Sequence, residues 1–382
     1  MKIKKSIRKM LIFAIVIIAL LGFKFTWVLI NTCKIGCFQS EKDDILKRRD
    51  YLVEKVITTP HDLISSMPES IGSQFQGEWA MYSCLMLSTS LENIARLYPE
   101  TREQAMCQID SIIEIVISPE LRQYDAARWG EDPLESLSGN QSHVSYLSIL
   151  AWIIGNYKAV GGSSKYDSMY TEVCEAMNRR ILDSPSLNIQ TYPGECIYIP
   201  DMLVAIVSLH RYASFNHGKY ESTVNKWLEK AKTEWIDSKT GLIVSALPNV
   251  NLPIKGSYTS LSCYYLTYID VEFAEDQYKK MKQVFLQNNP ATGIKEYHDK
   301  TCWFGFDIDA GPIILNLSPS GTAFAIGPST FFEDIKLRSK LLKTAEIAGS
   351  SWSWNGQKHY LLANITLVGE AITLAMRTSV PK

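Results

Sequence analysis

The sequence predicts an all-α protein: an (α/α)6 barrel of about twelve helices behind a single N-terminal transmembrane helix. Three features carry that prediction. After position 41 apolar residues recur at three- and four-residue spacing, the segments so marked come in pairs, and short and long connections alternate between them. The pairs are 78–97 with 102–117, 143–160 with 166–182, 201–212 with 220–235, 257–269 with 274–286, and 312–326 with 332–348. A last segment, 360–376, finds its partner in 43–56, near the start of the chain. No strand ladder is expected.

Within each pair the turn is short: "YPETR" from Tyr98, "GGSSK" from Gly161, "SFNHGK" from Ser214, "DVEF" from Asp270 and "GPST" from Gly327. Between pairs the connections are long and carry Trp, Tyr, Asp, Glu, Gly and Pro, over 118–142, 183–200, 236–256, 287–311 and 349–359. If the helices of a pair are outer and inner partners, every long connection enters an inner helix at the same end. Six such hairpins closed in a ring leave a funnel that opens on the face holding the elaborate loops, where sites are usually built.

The first thirty residues differ from the rest. Lys2, Lys4, Lys5, Arg8 and Lys9 precede an uncharged apolar run over 10–23, and after Lys24 the apolar character resumes through Ile30. This is a membrane-length segment interrupted once. Ile30, Asn31 and Thr32 before Cys33 match no cleavage site, so the segment reads as an uncleaved signal anchor whose basic end stays in the cytoplasm. Lys24 can snorkel towards a headgroup. The expected organisation is a basic tail and anchor over 1–31, a membrane-proximal segment with the first helix over 32–74, and an exported barrel over 75–382.

Composition excludes several classes. With 46% hydrophobic and 21% charged residues and a net charge of -1, the chain has an ordinary globular core and no basic face for nucleic acid. Eight scattered cysteines form neither a disulfide scaffold nor a zinc motif, although Cys33 and Cys37 leave a local disulfide open. There is no P-loop, dinucleotide fingerprint, H-E-x-x-H or G-x-S-x-G, and no cofactor is implied. The oligomeric state is left open.

Candidate site residues lie in, or directly after, the long connections. In "FGFDIDAGPIIL" from Phe304, Asp307 and Asp309 alternate with Phe306 and Ile308. An extended segment would hold their carboxylates on one side roughly 6.5–7 Å apart, a separation suited to acid and base roles. As a helix start, the same stretch offers Pro312 for the first turn and Gly311 or Asp309 for the cap. Asp201 follows Pro200 immediately before an apolar helix, as a cap or as part of an acidic and aromatic cluster with Glu195 and Tyr192. His143 opens an inner helix, where a neutral imidazole is available as a base. Trp129, Glu131, Lys255, Ser257, Tyr264 and Trp303 are expected to line the substrate space, with Trp352, Trp354 and His359 on the same face. Tryptophans and carboxylates together suit sugars or terpenoid-like carbon skeletons better than phosphates.

The stretches "SHVSYLSILAWIIGNYKAVGG" from Ser142 and "YPGECIYIPDMLVAIVSLHRY" from Tyr192 resemble the linalool dehydratase/isomerase family, (α/α)6 barrels of the six-hairpin superfamily. The resemblance implies substrate bound in the funnel without a cofactor, and acid and base side chains that remove and return water at an alcohol. The family's cysteine pair falls on Tyr192 and Asp201 here, so the pair itself is missing. The wider superfamily implies an alternative: a glycoside hydrolase, uronyl lyase or epimerase acting on envelope or environmental carbohydrate. A third reading is a ligand-binding barrel without turnover.

Overall fold

The computed structural model describes residues 2–248 and 252–381, and leaves 249–251 of the 236–256 connection outside the described residues. After the N-terminal helix α1 (Lys2–Thr32) come α2 (Phe38–Val56), α3 (Pro60–Ser65), α4 (Ser73–Leu97), α5 (Arg102–Val116), α6 (Pro119–Trp129), α7 (Val144–Ala159) and α8 (Asp167–Asp183). They are followed by α9 (Ile199–Phe215), α10 (Glu221–Thr233), α11 (Gly256–Leu266), α12 (Val271–Phe285), α13 (Pro319–Phe331), α14 (Ile335–Gly349) and α15 (Leu367–Arg377).

Packing sorts them into two concentric layers. Helices α4, α7, α9, α11, α13 and α15 each touch the next, and α15 returns to α4, which closes an inner ring. Around it α5, α8, α10, α12 and α14 each pack on the inner helix they follow, and α2 packs on both α15 and α4. The predicted pairing of the last helix with the first barrel helix is therefore observed.

Burial explains the sorting. Helix α7 buries every residue from Val144 to Tyr157, as a helix enclosed on all sides must. Helix α12 buries only Phe273, Ala274, Gln277, Tyr278, Met281 and Phe285, one stripe at helical spacing. The chain leaves each outer helix through a long connection that ends at the N-terminus of the next inner helix, and leaves each inner helix through a short turn, as the sequence led us to expect.

Several local expectations are corrected. The 118–142 connection contains a helix, α6, started by Ser118 capping Leu121 N–H with Pro119 in the first turn. The long connections also hold four short antiparallel ladders: β1 (Ile197–Tyr198) with β2 (Ala246–Leu247), β3 (Leu286–Gln287) with β4 (Gly293–Ile294), β5 (Phe304–Asp307) with β6 (Gly311–Ile314), and β7 (Ser351–Trp354) with β8 (Gln357–Tyr360).

Pro312 thus lies in a strand opposite Phe306, and the helix expected there begins at Pro319, capped by the Ser318 side chain. Asp307 decides this locally. Its carboxylate accepts the N–H groups of Asp309 and Ala310, and Gly311 takes a left-handed φ of 77°, so the chain turns back instead of coiling. "GPST" falls inside α13, and the turn to α14 comes at 332–334. The final helix starts at Leu367 because 357–360 is committed to β8.

The seam where the first barrel helix meets the last is held by buried charges. Glu41 of α2 accepts both ends of the Arg338 guanidinium at 2.7 and 2.8 Å and Nε of Arg377 at 2.8 Å. Asp44 binds Arg377, Arg48 at 3.2 Å and Lys358 at 2.5 Å, while Arg48 also meets Glu370 at 2.8 Å. Burial by itself would raise the Asp44 and Glu41 carboxyls, but the surrounding cations hold both below the usual carboxylate range. Breaking such a network leaves charge stranded in low dielectric. Glu41→Gln should therefore destabilise the full chain by about 3 kcal/mol, read as a lower urea midpoint in detergent solution. An unchanged midpoint would mean that the seam does not need this charge.

Candidate active site

Near the N-termini of the inner helices, Glu78 and Tyr82 of α4, Asp201 of α9 and Tyr258 of α11 are half-buried. The Glu78 side chain is 27% exposed although protein surrounds it. Arg128 of α6 lies 3.5 Å from Glu78 and 3.3 Å above the centre of the Tyr192 ring. The Tyr192 hydroxyl hydrogen-bonds Ser145 Oγ at 2.8 Å and also reaches Glu78. Across the funnel the Tyr82 and Tyr265 hydroxyls meet at 2.6 Å.

Asp201 is not spent as a cap. Its Oδ2 accepts the Thr191 hydroxyl at 2.7 Å, and no ion pair to it is found among the described residues. Burial, then the negative charges of Asp309 and Glu195, push its carboxyl up to about 6 against the Thr191 bond. Burial likewise raises Glu78 to about 7, with the charges of Asp201 and Asp309 adding to it and Arg128 and Tyr192 opposing. The two carboxyls thus lie in one field and titrate near neutrality.

The hairpin that opened the question of Asp307 and Asp309 closes one side of this space. Lys255, the residue before α11, donates to Asp307 at 2.8 Å and to Asp309 at 3.0 Å. Burial pushes Asp307 up, but Lys255 and the two turn N–H groups hold it below the ordinary range. Tyr258 hydrogen-bonds Asp309, and Lys255 lies 5.3 Å from the centre of the Tyr258 ring. Gly256 makes this corner possible, because a Cβ there would stand 1.9 Å from the Lys295 carbonyl oxygen. Beside it Ser257 donates to Glu296 at 2.8 Å, and burial lifts the Glu296 carboxyl to about 7.

The other expected residues are placed as follows. Glu195 is exposed in the loop ahead of α9, and its charge is felt at Asp201. His143 is fully buried, bonded through Nδ1 to Asp125 at 2.5 Å, with Glu131 and Ser136 each at 3.3 Å from Nε2 and Trp129 5.4 Å away ring to ring. Tyr264 is buried deeper in α11, bonded to Tyr268 at 2.8 Å. Trp303 is exposed at the base of β5. Sequence reasoning missed Glu78, Arg128, Tyr258 and Glu296. For Glu78 a signal existed: a carboxylate close behind a long connection, at the start of an inner helix.

No protein-family model matches the chain. Among solved structures it is similar to a glycoside hydrolase from family 105 of C. acetobutylicum ATCC 824, with a TM-score of 0.52 and 12% identity over 77% of this chain and 92% of that one. It is also similar to an unsaturated glucuronyl hydrolase specific for heparin, with a TM-score of 0.55 and 12% identity over 93% of this chain and 97% of that one. Both are (α/α)6-barrel hydrolases, and at this identity the likeness shows the fold alone.

The raised carboxyls have a consequence for stability. Their folded-state values lie above the ordinary range, so the stability tied to their neutral forms is complete in acid and is lost as pH rises through about 6 for Asp201 and about 7 for Glu78. Asp201→Asn and Glu78→Gln should each gain on the order of 2 kcal/mol over the wild type at pH 8 and nothing at pH 4, after allowance for partial solvent access. Thermal unfolding of the three full-length proteins at the two pH values checks this. A gain independent of pH would contradict the placement of these groups.

Proposed function

We propose that the chain is a membrane-anchored, exported enzyme that acts on carbohydrate by acid/base catalysis, with Asp201 and Glu78 at the reacting bond. The observation that carries this reading is the pair itself: two half-buried carboxyls at the mouths of inner helices, sharing a field and titrating near neutrality. The buried carboxylates of the seam, Glu41 and Asp44, are by contrast neutralised by cations. Two carboxyls that titrate at different values around neutral pH can protonate a leaving oxygen with one member while the other activates water. Arg128 and Tyr192 orient Glu78, and Thr191 orients Asp201. Lys255 with Asp307 and Asp309 forms a polar wall that suits sugar hydroxyls, and Tyr258 and Tyr198 offer ring faces beside it. The solved neighbours support a carbohydrate substrate, and unsaturated glucuronyl oligosaccharides are the first to try.

The anchor is α1, in which 12–32 is long and apolar enough to cross a membrane. The basic residues before it keep that end in the cytoplasm and place the barrel outside.

A second reading is loss and return of water at an alcohol. Its support is that Tyr192 and Asp201, the positions the linalool dehydratase/isomerase resemblance singles out, both act on Glu78.

Full-length protein in detergent, incubated with unsaturated glucuronyl oligosaccharides, envelope glycans and small terpene alcohols, should yield products detectable by mass spectrometry from one pool. Asp201→Asn and Glu78→Gln should each slow turnover on the order of a hundredfold with the fold intact. The pH profile should lose one limb in each variant. Turnover unaffected by both substitutions would reject the assignment, and no product from any pool would favour a binding barrel.

A further inference from the structure

Helix α1 is not a free leader: its last turns are built into the barrel. Lys24 donates to the Ser350 hydroxyl and to the Glu346 carbonyl at 3.5 Å, and Trp27 Nε1 donates to the Ser351 carbonyl at 3.0 Å. These contacts lie at the C-terminal end of α14. At the other end of the same helix Gly36, just past α1, sits beside Ile335. The two helices are therefore antiparallel.

Helix α14 climbs from the short turn at 332–334 to the long connection at 350–366, so α1, followed back from Lys24, leaves the barrel through the long-loop face. Every residue from Ile12 to Phe23 is exposed. The anchor and the mouth of the funnel thus point the same way.

Length makes the constraint tighter. The fourteen residues between Lys9 and Lys24 span about 21 Å as helix, against a hydrocarbon core of about 30 Å. If α1 crosses the bilayer, residues beyond Lys24 must lie at membrane depth too, and Phe25, Leu29 and Ile30 are accordingly exposed. Those residues lie alongside the rim of the barrel.

The rim carries the matching surface. Trp352 and Trp354, 47% and 75% exposed, stand on β7, whose first residue holds Trp27. Trp303, Phe304, Phe306 and Ile314, on or beside the β5–β6 hairpin of the same face, are 53–76% exposed. Large aromatic side chains left in water at two loop tips are expensive, whereas the headgroup boundary is where tryptophan is enriched.

We propose that the long-loop face is seated on the bilayer that α1 enters, so that the funnel opens onto lipid and its substrate is the glycosyl or hydroxylated headgroup of a membrane lipid. This rests on the reading of α1 as an anchor and of the funnel as the site. The headgroup reaches Asp201 and Glu78 while the tail stays among the rim aromatics and in the bilayer.

The test uses the full chain in phosphatidylcholine vesicles containing lipid brominated on its acyl chains, with tryptophan quenching as the readout. The triple variant W303F/W352F/W354F should lose roughly half or more of the quenchable fluorescence, and W27F alone a smaller share. The three rings are 47–75% exposed, so their replacement leaves the core intact. A chain that resists alkaline carbonate extraction, yet shows the same quenching in wild type and triple variant, keeps the anchor and overturns the seating of the loop face. A chain removed by carbonate overturns the anchor and this proposal together. Cross-linking of two copies through 303–306 without quenching would assign the surface to self-association instead.

Discussion

A ring of six helical hairpins exists only if its first and last members are held together, and here that bond is ionic. Glu41, Asp44 and Arg48 enter from α2, Arg338 and Glu346 from α14, Lys358 from β8, and Glu370 and Arg377 from α15. The four acids and four bases balance, and each is largely removed from water. Apolar packing would close the same gap with less directional demand on its partners. Bidentate guanidinium pairs are directional, because the Arg338 fork fits Glu41 in one orientation only. The position of α4, and with it Glu78, follows from how this seam is set.

The seam also makes the acids of the funnel conspicuous. Both places bury carboxyl groups. At the seam each acid meets cations, and Glu41 and Asp44 are held below the usual carboxylate range, whereas Asp201 meets a threonine hydroxyl and the charges of other acids. The chain could have neutralised Asp201 by the same means. It places Lys255 nearby and commits that lysine to Asp307 and Asp309 on the hairpin. Unneutralised acid is costly to a fold, and its concentration in one funnel is the strongest physical argument that the funnel has a use.

Architecture was largely legible because it depends on periodicity and connection length, which are local properties. What failed was local competition. "GPII" offers a helix start on propensity, but Asp307, four residues earlier, had already closed a turn, and the Ser318–Pro319 pair further on carries the actual cap. The site was legible by region more than by residue. Asp201, Asp309 and Tyr192 were marked by position after long connections, and the same rule extended to α4 would have marked Glu78. Arg128 and Tyr258 become visible only in three dimensions: one is the last turn of a helix hidden in a loop, the other one tyrosine among several. His143 was singled out for its place at a helix start, but its partner Asp125 lies in α6, which periodicity did not reveal.

The direction of the inner ring has an electrical consequence. Every long connection delivers the chain to the N-terminus of an inner helix, so the positive ends of six helix dipoles surround the mouth of the funnel, each equivalent to roughly half a positive charge, even where a side chain such as Ser318 or Thr366 caps one N–H group. The lining side chains are acidic, but the backbone beneath them is positive. Such a field favours an ionised carboxyl in the first turn of a helix, and so works against burial at Asp201, the third residue of α9. It also makes the mouth of the funnel less hostile to an anionic group than its acidic side chains alone would suggest.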